Sequence, residues 1–180
     1  MAKVRQVLFF IVCGTNGTGK TTLVKKLIGG RKTLVVDPDG LEWSNLPTIE
    51  MEEMTMLKPN AQARIIAPGY KEITALTNYT HGNLVLDDCR YYVRSRIEEG
   101  VRQLLVRRRQ KDVDIFAVAH SLNEVPPTFW TFATHLVLFK IKDNPERLKH
   151  NIPKFHELTK QHIPEIAAHS DHHYYRVIPL

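Results

Sequence analysis

The run Gly14-Thr15-Asn16-Gly17-Thr18-Gly19-Lys20-Thr21 has the spacing G-x-x-x-x-G-K-[ST], and its residue types are those that bind a nucleoside triphosphate. Glycines let the backbone curl until successive N–H groups face one anion, and the helix that follows turns its N-terminus to the same anion. Lys20 would place a point charge on the β and γ phosphates, and the Thr21 hydroxyl could take one position on the accompanying Mg²⁺. With Thr22, residues 14–22 are the expected nucleotide contact. Leu84-Val85-Leu86-Asp87-Asp88 then puts two carboxylates at the end of an apolar run. Asp87 would hold Mg²⁺ through its water shell. Asp88 would polarise the attacking water, or else cap the helix that follows, a position Asp favours. His120 ends another apolar run, Ile115 to Ala119. Its imidazole could contact the γ-phosphate or the lytic water, or act only as a local hydrogen-bonding group.

These residues need strands and helices to position them. Val7 to Cys13 leads into the glycine loop as an apolar strand, and Leu23, Val24, Leu27 and Ile28 follow at helical spacing until Gly29-Gly30. Thr33 to Val36 is a short β-branched run ending at the turn Asp37-Pro38-Asp39-Gly40. Leu41 to Asn60, broken by Pro47 and Pro59, reads as irregular or a short helix. Further strands are expected at Arg64 to Ala67, Asn83 to Leu86, Asp114 to Ala119 and His135 to Ile141. Helices are expected at Tyr70 to Tyr79 and at Tyr91 to Gln110, where Val93, Ile97, Val101, Leu104 and Leu105 share a face. Gly100 weakens that second helix modestly. Apolar strands alternating with helices indicate a three-layer α/β fold of the P-loop NTPase kind with a mainly parallel sheet. Ligands of such sheets bind at the carboxyl ends of strands, so the loop, Asp87, Asp88 and His120 are expected on one rim.

At 180 residues with 43% hydrophobic content, the chain is expected to form one core over residues 1–143. Residues 144–180 are expected to form a helical or irregular extension packed on it. A net charge of +6 is compatible with a nucleic-acid partner without requiring one. Two cysteines, Cys13 and Cys89, indicate a reduced cytoplasmic protein without a disulfide framework. The basic and apolar start superficially mimics a secretory signal, but cleavage there would remove the strand that positions the loop. No segment is long enough in apolar residues to cross a membrane. The tail carries His150, His156, His162, His169, His172 and His173, whose spacing fits no familiar zinc pattern and reads as solvated histidines.

The string Thr33 to Trp43, an apolar strand running into Asp37-Pro38-Asp39-Gly40, resembles the segment after the phosphate loop in the FtsK/HerA superfamily of DNA-pumping ATPases. So does the block from Ile97 to Leu122, with Arg102, Leu104, Leu105 and Arg109, a strand, and a polar closing residue. The resemblance spans residues 7–141 and departs at Asp88, usually glutamate, and at His120, most often glutamine. In its small size the chain is similar to the viral genome-packaging ATPases of that superfamily. The resemblance implies a RecA/ASCE-like fold and a Mg²⁺-dependent ATPase with Lys20, Asp88, Arg109 and His120 as catalytic residues. It also implies a homo-oligomeric ring, commonly a hexamer, that threads DNA without reading its sequence and meets a capsid or portal protein in the host cytoplasm or virion. Arg109 matches the finger supplied to a neighbouring subunit, with Arg107, Arg108, Arg94 and Arg96 as competitors. Alternatively these arginines form a solvated face paired with Glu98 and Glu99. A small-molecule or nucleotide kinase and a nucleotide-gated assembly factor share the same loop and stay open as alternatives.

Overall fold

The central strands carry apolar side chains on both faces, and in β4 (Gly82–Leu86) alternate residues enter opposite cores: Leu84 and Leu86 face one, Val85 the other. This is why these stretches read as unbroken apolar runs. In the computed structural model, residues 5–66, 70–93 and 95–180 are described. Ala67 and Arg94 lie outside them, as do the side chains of Tyr70, Val93 and residues 95–98, among them Arg96, Ile97 and Glu98.

The other strands are β1 (Phe9–Cys13), β2 (Thr33–Asp37), β3 (Gln62–Ile66), β5 (Val113–Ala119), β6 (His135–Leu138) and β7 (Arg176–Pro179). They form a 7-stranded sheet in the order β3-β2-β4-β5-β1-β6-β7. All neighbours are parallel except β6 and β7. One face carries α1 (Lys20–Ile28) with Trp43 in the smaller core. The other carries α2 (Tyr70–Ala75), α3 (Ser95–Lys111) and α4 (Pro127–Phe132), giving three layers. The tail packs on that same face through Ile152, Leu158 and Ile166. β5 separates β1 from β4, so the glycine loop and Asp87 rise from strands that are not neighbours, with His120 between them.

Several elements refine the sequence expectation or depart from it for local reasons. Residues Met51–Met56 form a 3₁₀ turn, started by a reciprocal capping box between Glu50 and Glu53. Between Tyr70 and Tyr79, α2 gives way at Leu76–Asn78 to a 3₁₀ turn, and the long arginine-rich helix is preceded by another at Cys89–Val93. Gly100 is a contact point: a methyl group there would stand 3.0 Å from Oγ1 of Thr74 and 3.1 Å from Cγ2 of Ile73, so glycine lets α3 approach α2. The tail is more than helical and irregular, because Arg176–Pro179 pairs with β6 and extends the sheet.

β6 stops at Leu138, short of the expected Ile141, since the next residues turn to hold the glycine loop. The Lys140 carbonyl accepts the Thr15 N–H at 2.8 Å, and Phe139 packs so closely that a methyl on Gly14 would sit 2.5 Å from its Cβ. A Cβ does not move with side-chain rotation, so relieving that overlap requires a shift of the backbone at Gly14 or Phe139. Gly14→Ala is accordingly expected to lower unfolding free energy by about 1–3 kcal/mol in urea denaturation. Wild-type stability in that variant would refute the packing argument.

Candidate functional site

Gly17 and Gly19 have φ of 79° and 91°, in the left-handed region that glycine reaches without steric cost, and they carry the chain round the loop into α1. Thr18 folds its hydroxyl back onto the Thr15 carbonyl at 2.8 Å, closing the loop on itself. Lys20, in the first turn of α1, is buried, and its ammonium donates to the Thr15 carbonyl at 3.0 Å. It also lies 3.3 Å from Nδ1 of His120. An ammonium can only donate, so Nδ1 is the acceptor, His120 is neutral and its proton sits on Nε2. Burial lowers the His120 pKa, and the Lys20 charge lowers it further. Burial likewise lowers the Lys20 pKa, against the pull of Cys13 and Asp87.

Asp87 closes β4 as a buried carboxylate. Its Oδ2 accepts the indole N–H of Trp43 at 2.8 Å and its Oδ1 accepts the Asp88 N–H at 3.0 Å. Burial nevertheless dominates, pushing its pKa up to about 6. Trp43 is buried in the smaller core, so Asp87 is oriented by a ring that is itself immobilised by packing. Trp43 reaches this position because Asp37 organises the turn before it. Asp37 accepts the backbone N–H groups of Gly40 and Trp43 and a 3.1 Å ion pair from Arg64.

Asp88 adopts φ of 48°, which turns it away from the strand. Its two oxygens take a forked pair of hydrogen bonds from Arg90, at 2.9 Å from Nε and 2.8 Å from Nη2. Oδ1 also accepts the Arg90 N–H at 3.2 Å, which is the local capping role left open by the sequence. Burial raises the Asp88 pKa, but the hydrogen bonds and charge of Arg90 outweigh it and hold the carboxyl below its usual value.

The loop, Asp87, Asp88, Arg90 and His120 line a cleft of about 660 Å³, open to solvent, together with Pro38, Asp39, Leu41 and Glu42. Lys20, Thr21 and Thr22 line it too. The rim expected from the sequence is therefore assembled. Thr21 and Asp87 offer the hard oxygen donors that suit Mg²⁺, one hydroxyl and one carboxylate, leaving room for the waters this ion keeps. When bound, such an ion would neutralise phosphate charge. Among the described residues, no group of three or more His, Cys, Asp or Glu could hold a metal ion, and this covers the histidine-rich tail. Both cysteines are free and buried, and burial pushes their thiols up in pKa. No helix among the described residues is long and apolar enough to cross a membrane.

The arginines of α3 lie elsewhere. α3 runs back from the end of β4 to the start of β5, so Arg107, Arg108 and Arg109 sit at the end of the sheet opposite the phosphate loop. Arg108 is buried and donates to the carbonyls of Leu105 and Phe132 at 3.0 and 2.8 Å, a structural use. Arg107 and Arg109 are exposed. Arg102 pairs with Glu99 at 3.8 Å on the solvated face. Three contributors escape a sequence reading: Trp43, Arg90 and the His172–His173 turn near the loop glycines. The Trp43 signal was present in the turn residues ahead of it, whereas nothing in the spacing of Arg90 or of the tail histidines points to the cleft.

Neither a protein-family model nor a curated protein matches the chain. Solved structures do. The genome packaging NTPase B204 from Sulfolobus turreted icosahedral virus 2, in complex with sulfate, superposes with a TM-score of 0.69 at 12% identity, covering 97% of this chain and 92% of that one. The same NTPase in complex with ATP-gammaS gives a TM-score of 0.65 at 13% identity over 96% of each chain. The pCW3 conjugation coupling protein TcpA with ATPgS gives 0.54 at 10% identity, covering 86% of this chain and 54% of that one. The likeness to a viral genome-packaging NTPase thus extends over almost the whole molecule, tail included, and this chain has that three-layer P-loop fold.

Proposed function

We propose that this chain is a Mg²⁺-dependent ATPase that drives DNA translocation, a genome-packaging motor of a virus or mobile element. The observation that carries the reading is the rim itself: β5 inserted between β1 and β4, which sets His120 between the phosphate loop and the Asp87-Asp88 pair. The fold likeness to packaging NTPase B204 supports the choice among P-loop functions.

In this reading the loop N–H groups and Lys20 hold the β and γ phosphates, and Thr21 and Asp87 hold Mg²⁺. His120, neutral and hydrogen-bonded to Lys20, registers the terminal phosphate through that lysine. Asp88 orients the attacking water once Arg90 releases it. Arg109 stands at the end of the sheet opposite its own loop, so it would serve only the site of a neighbouring copy, where it would stabilise the charge of the transition state. The partners that follow are a homo-oligomeric ring, DNA held through its phosphates, and a capsid or portal protein.

Subunit mixing tests the reading. Arg109→Ala and Lys20→Ala are each expected to abolish DNA-stimulated ATP hydrolysis, while an equal mixture recovers about a quarter of wild-type turnover, from sites that combine one intact loop with one intact neighbouring finger. ATPase activity indifferent to DNA, or phosphate transfer to nucleosides, would overturn the proposal. A mixture as inactive as its components would remove Arg109 from the site.

A further inference from the structure

The strand order gives the cleft two distinct ends. Asp87 and His120 stand at the ends of β4 and β5, on one side of β1, and Lys20 meets His120 there. The lysine of this loop type engages the β and γ phosphates, so a bound triphosphate points its terminal phosphate toward β4 and β5. Its nucleoside must then leave the loop on the other side, toward β6 and β7.

What stands on that side is the turn that enters β7. A methyl group on Gly19 would lie 3.2 Å from Nδ1 of His173, and one on Gly17 would lie 3.9 Å from Nε2 of His172. His173 also lines the cleft. Both imidazoles are exposed and meet edge to face, with ring centroids 5.8 Å apart. The turn that carries them is fixed from several directions. The Asp171 carboxylate accepts the His173 N–H at 2.8 Å, and Nδ1 of His169 accepts the Asp171 N–H at 3.1 Å. His169 stacks on Tyr174 at 3.8 Å, whose hydroxyl donates to Glu165 at 2.7 Å. Tyr175 packs its ring on Phe139, the residue that abuts Gly14. Two exposed rings are therefore held against the glycine loop by a scaffold tied to Glu165, to Phe139 and to β7.

We propose that His172 and His173 form the nucleoside wall of the triphosphate site, contacting the base and ribose of the bound nucleotide. The proposal rests on reading residues 14–22 as that site. A flat imidazole can stack on a base, and its ring nitrogens can donate to or accept from ribose hydroxyls. The exposed position of both rings leaves these groups available to a ligand.

The test compares two ligands that share phosphates and differ in the nucleoside, ATPγS and inorganic tripolyphosphate. Dissociation constants are measured for wild type, for the double variant His172→Ala with His173→Ala, and for Lys20→Ala. The double variant is expected to bind ATPγS about tenfold more weakly, the worth of one or two hydrogen bonds, and tripolyphosphate as wild type does. Unchanged ATPγS affinity, or an equal loss for both ligands, would overturn the proposal. Lys20→Ala is expected to weaken both ligands; if it weakens neither, the triphosphate reading itself fails, whatever the histidines do.

Discussion

Lys20→Ala is expected to lower ATP turnover by at least about 10²-fold at saturating nucleotide, the scale on which preorganised charges act on a developing oxyanion. The side chain is buried, and its ammonium is already aimed by the Thr15 carbonyl and His120. Among the described residues the two nearby cations are committed elsewhere: Arg90 is engaged by Asp88, and Lys25 reaches back to the Glu42 carbonyl and over the Trp43 ring. The loss should be confined to function. Desolvation already lowers the Lys20 pKa, so removing the ammonium removes a buried charge as well as a hydrogen bond, and the thermal midpoint should stay close to wild type. Steady-state phosphate release and a melting curve on the same sample separate the two effects. Turnover within threefold of wild type would deny Lys20 its role.

Asp87→Asn should combine loss of activity with a gain in stability that depends on pH. Asp87 is held near pKa 6 in the folded chain, against an ordinary value of 3.8. Between those two values the folded state binds more protons than the unfolded one, so stability falls as pH rises through that window and stays reduced above it. The decline is on the order of 3 kcal/mol. Asparagine is neutral throughout. It can still accept from Trp43, although the Asp88 N–H then loses its acceptor, a loss of about 1 kcal/mol. The variant should therefore melt about 4–8 °C higher than wild type at pH 8, with the gain vanishing between about pH 4 and pH 5. Turnover should drop by about 10²-fold or more at every pH, because the carboxylate that would hold Mg²⁺ is gone. A melting point no higher at pH 8 than at pH 4, relative to wild type, would refute the burial argument.

The contrast between these two residues and the rest of the site explains what could be read from the chain. The loop, Asp87 and His120 each end an apolar run, and apolar runs in a parallel sheet are legible because both faces are buried. Local pattern was therefore enough to put them on one rim. Trp43 was visible only as part of a turn, since its indole meets Asp87 across a sequence separation of 44 residues. β7 could not be anticipated in the same way. Three of its four residues are exposed, and it closes on Pro179, so neither hydrophobicity nor alternation marks it. The histidine turn depends on β7 for its place, which is why six tail histidines read as solvent-facing residues and two of them stand against the phosphate loop. Arg108 illustrates the opposite error of a run read as uniform. Its neighbours Arg107 and Arg109 are exposed, but helical geometry turns Arg108 inward to two carbonyls.

On the proposed function, the pairing of Arg90 with Asp88 would set how an isolated subunit idles. A carboxylate already saturated by a guanidinium fork is a poor acceptor for a proton from water, so with the fork closed the chain should spend little nucleotide on its own. Yet the fork is shallow. The Arg90 side chain is 57% exposed, and a pair open to solvent contributes about 0–1 kcal/mol. In the proposed reading it would act as a detent rather than a lock: one competing anion, such as a terminal phosphate, would be enough to draw the arginine off.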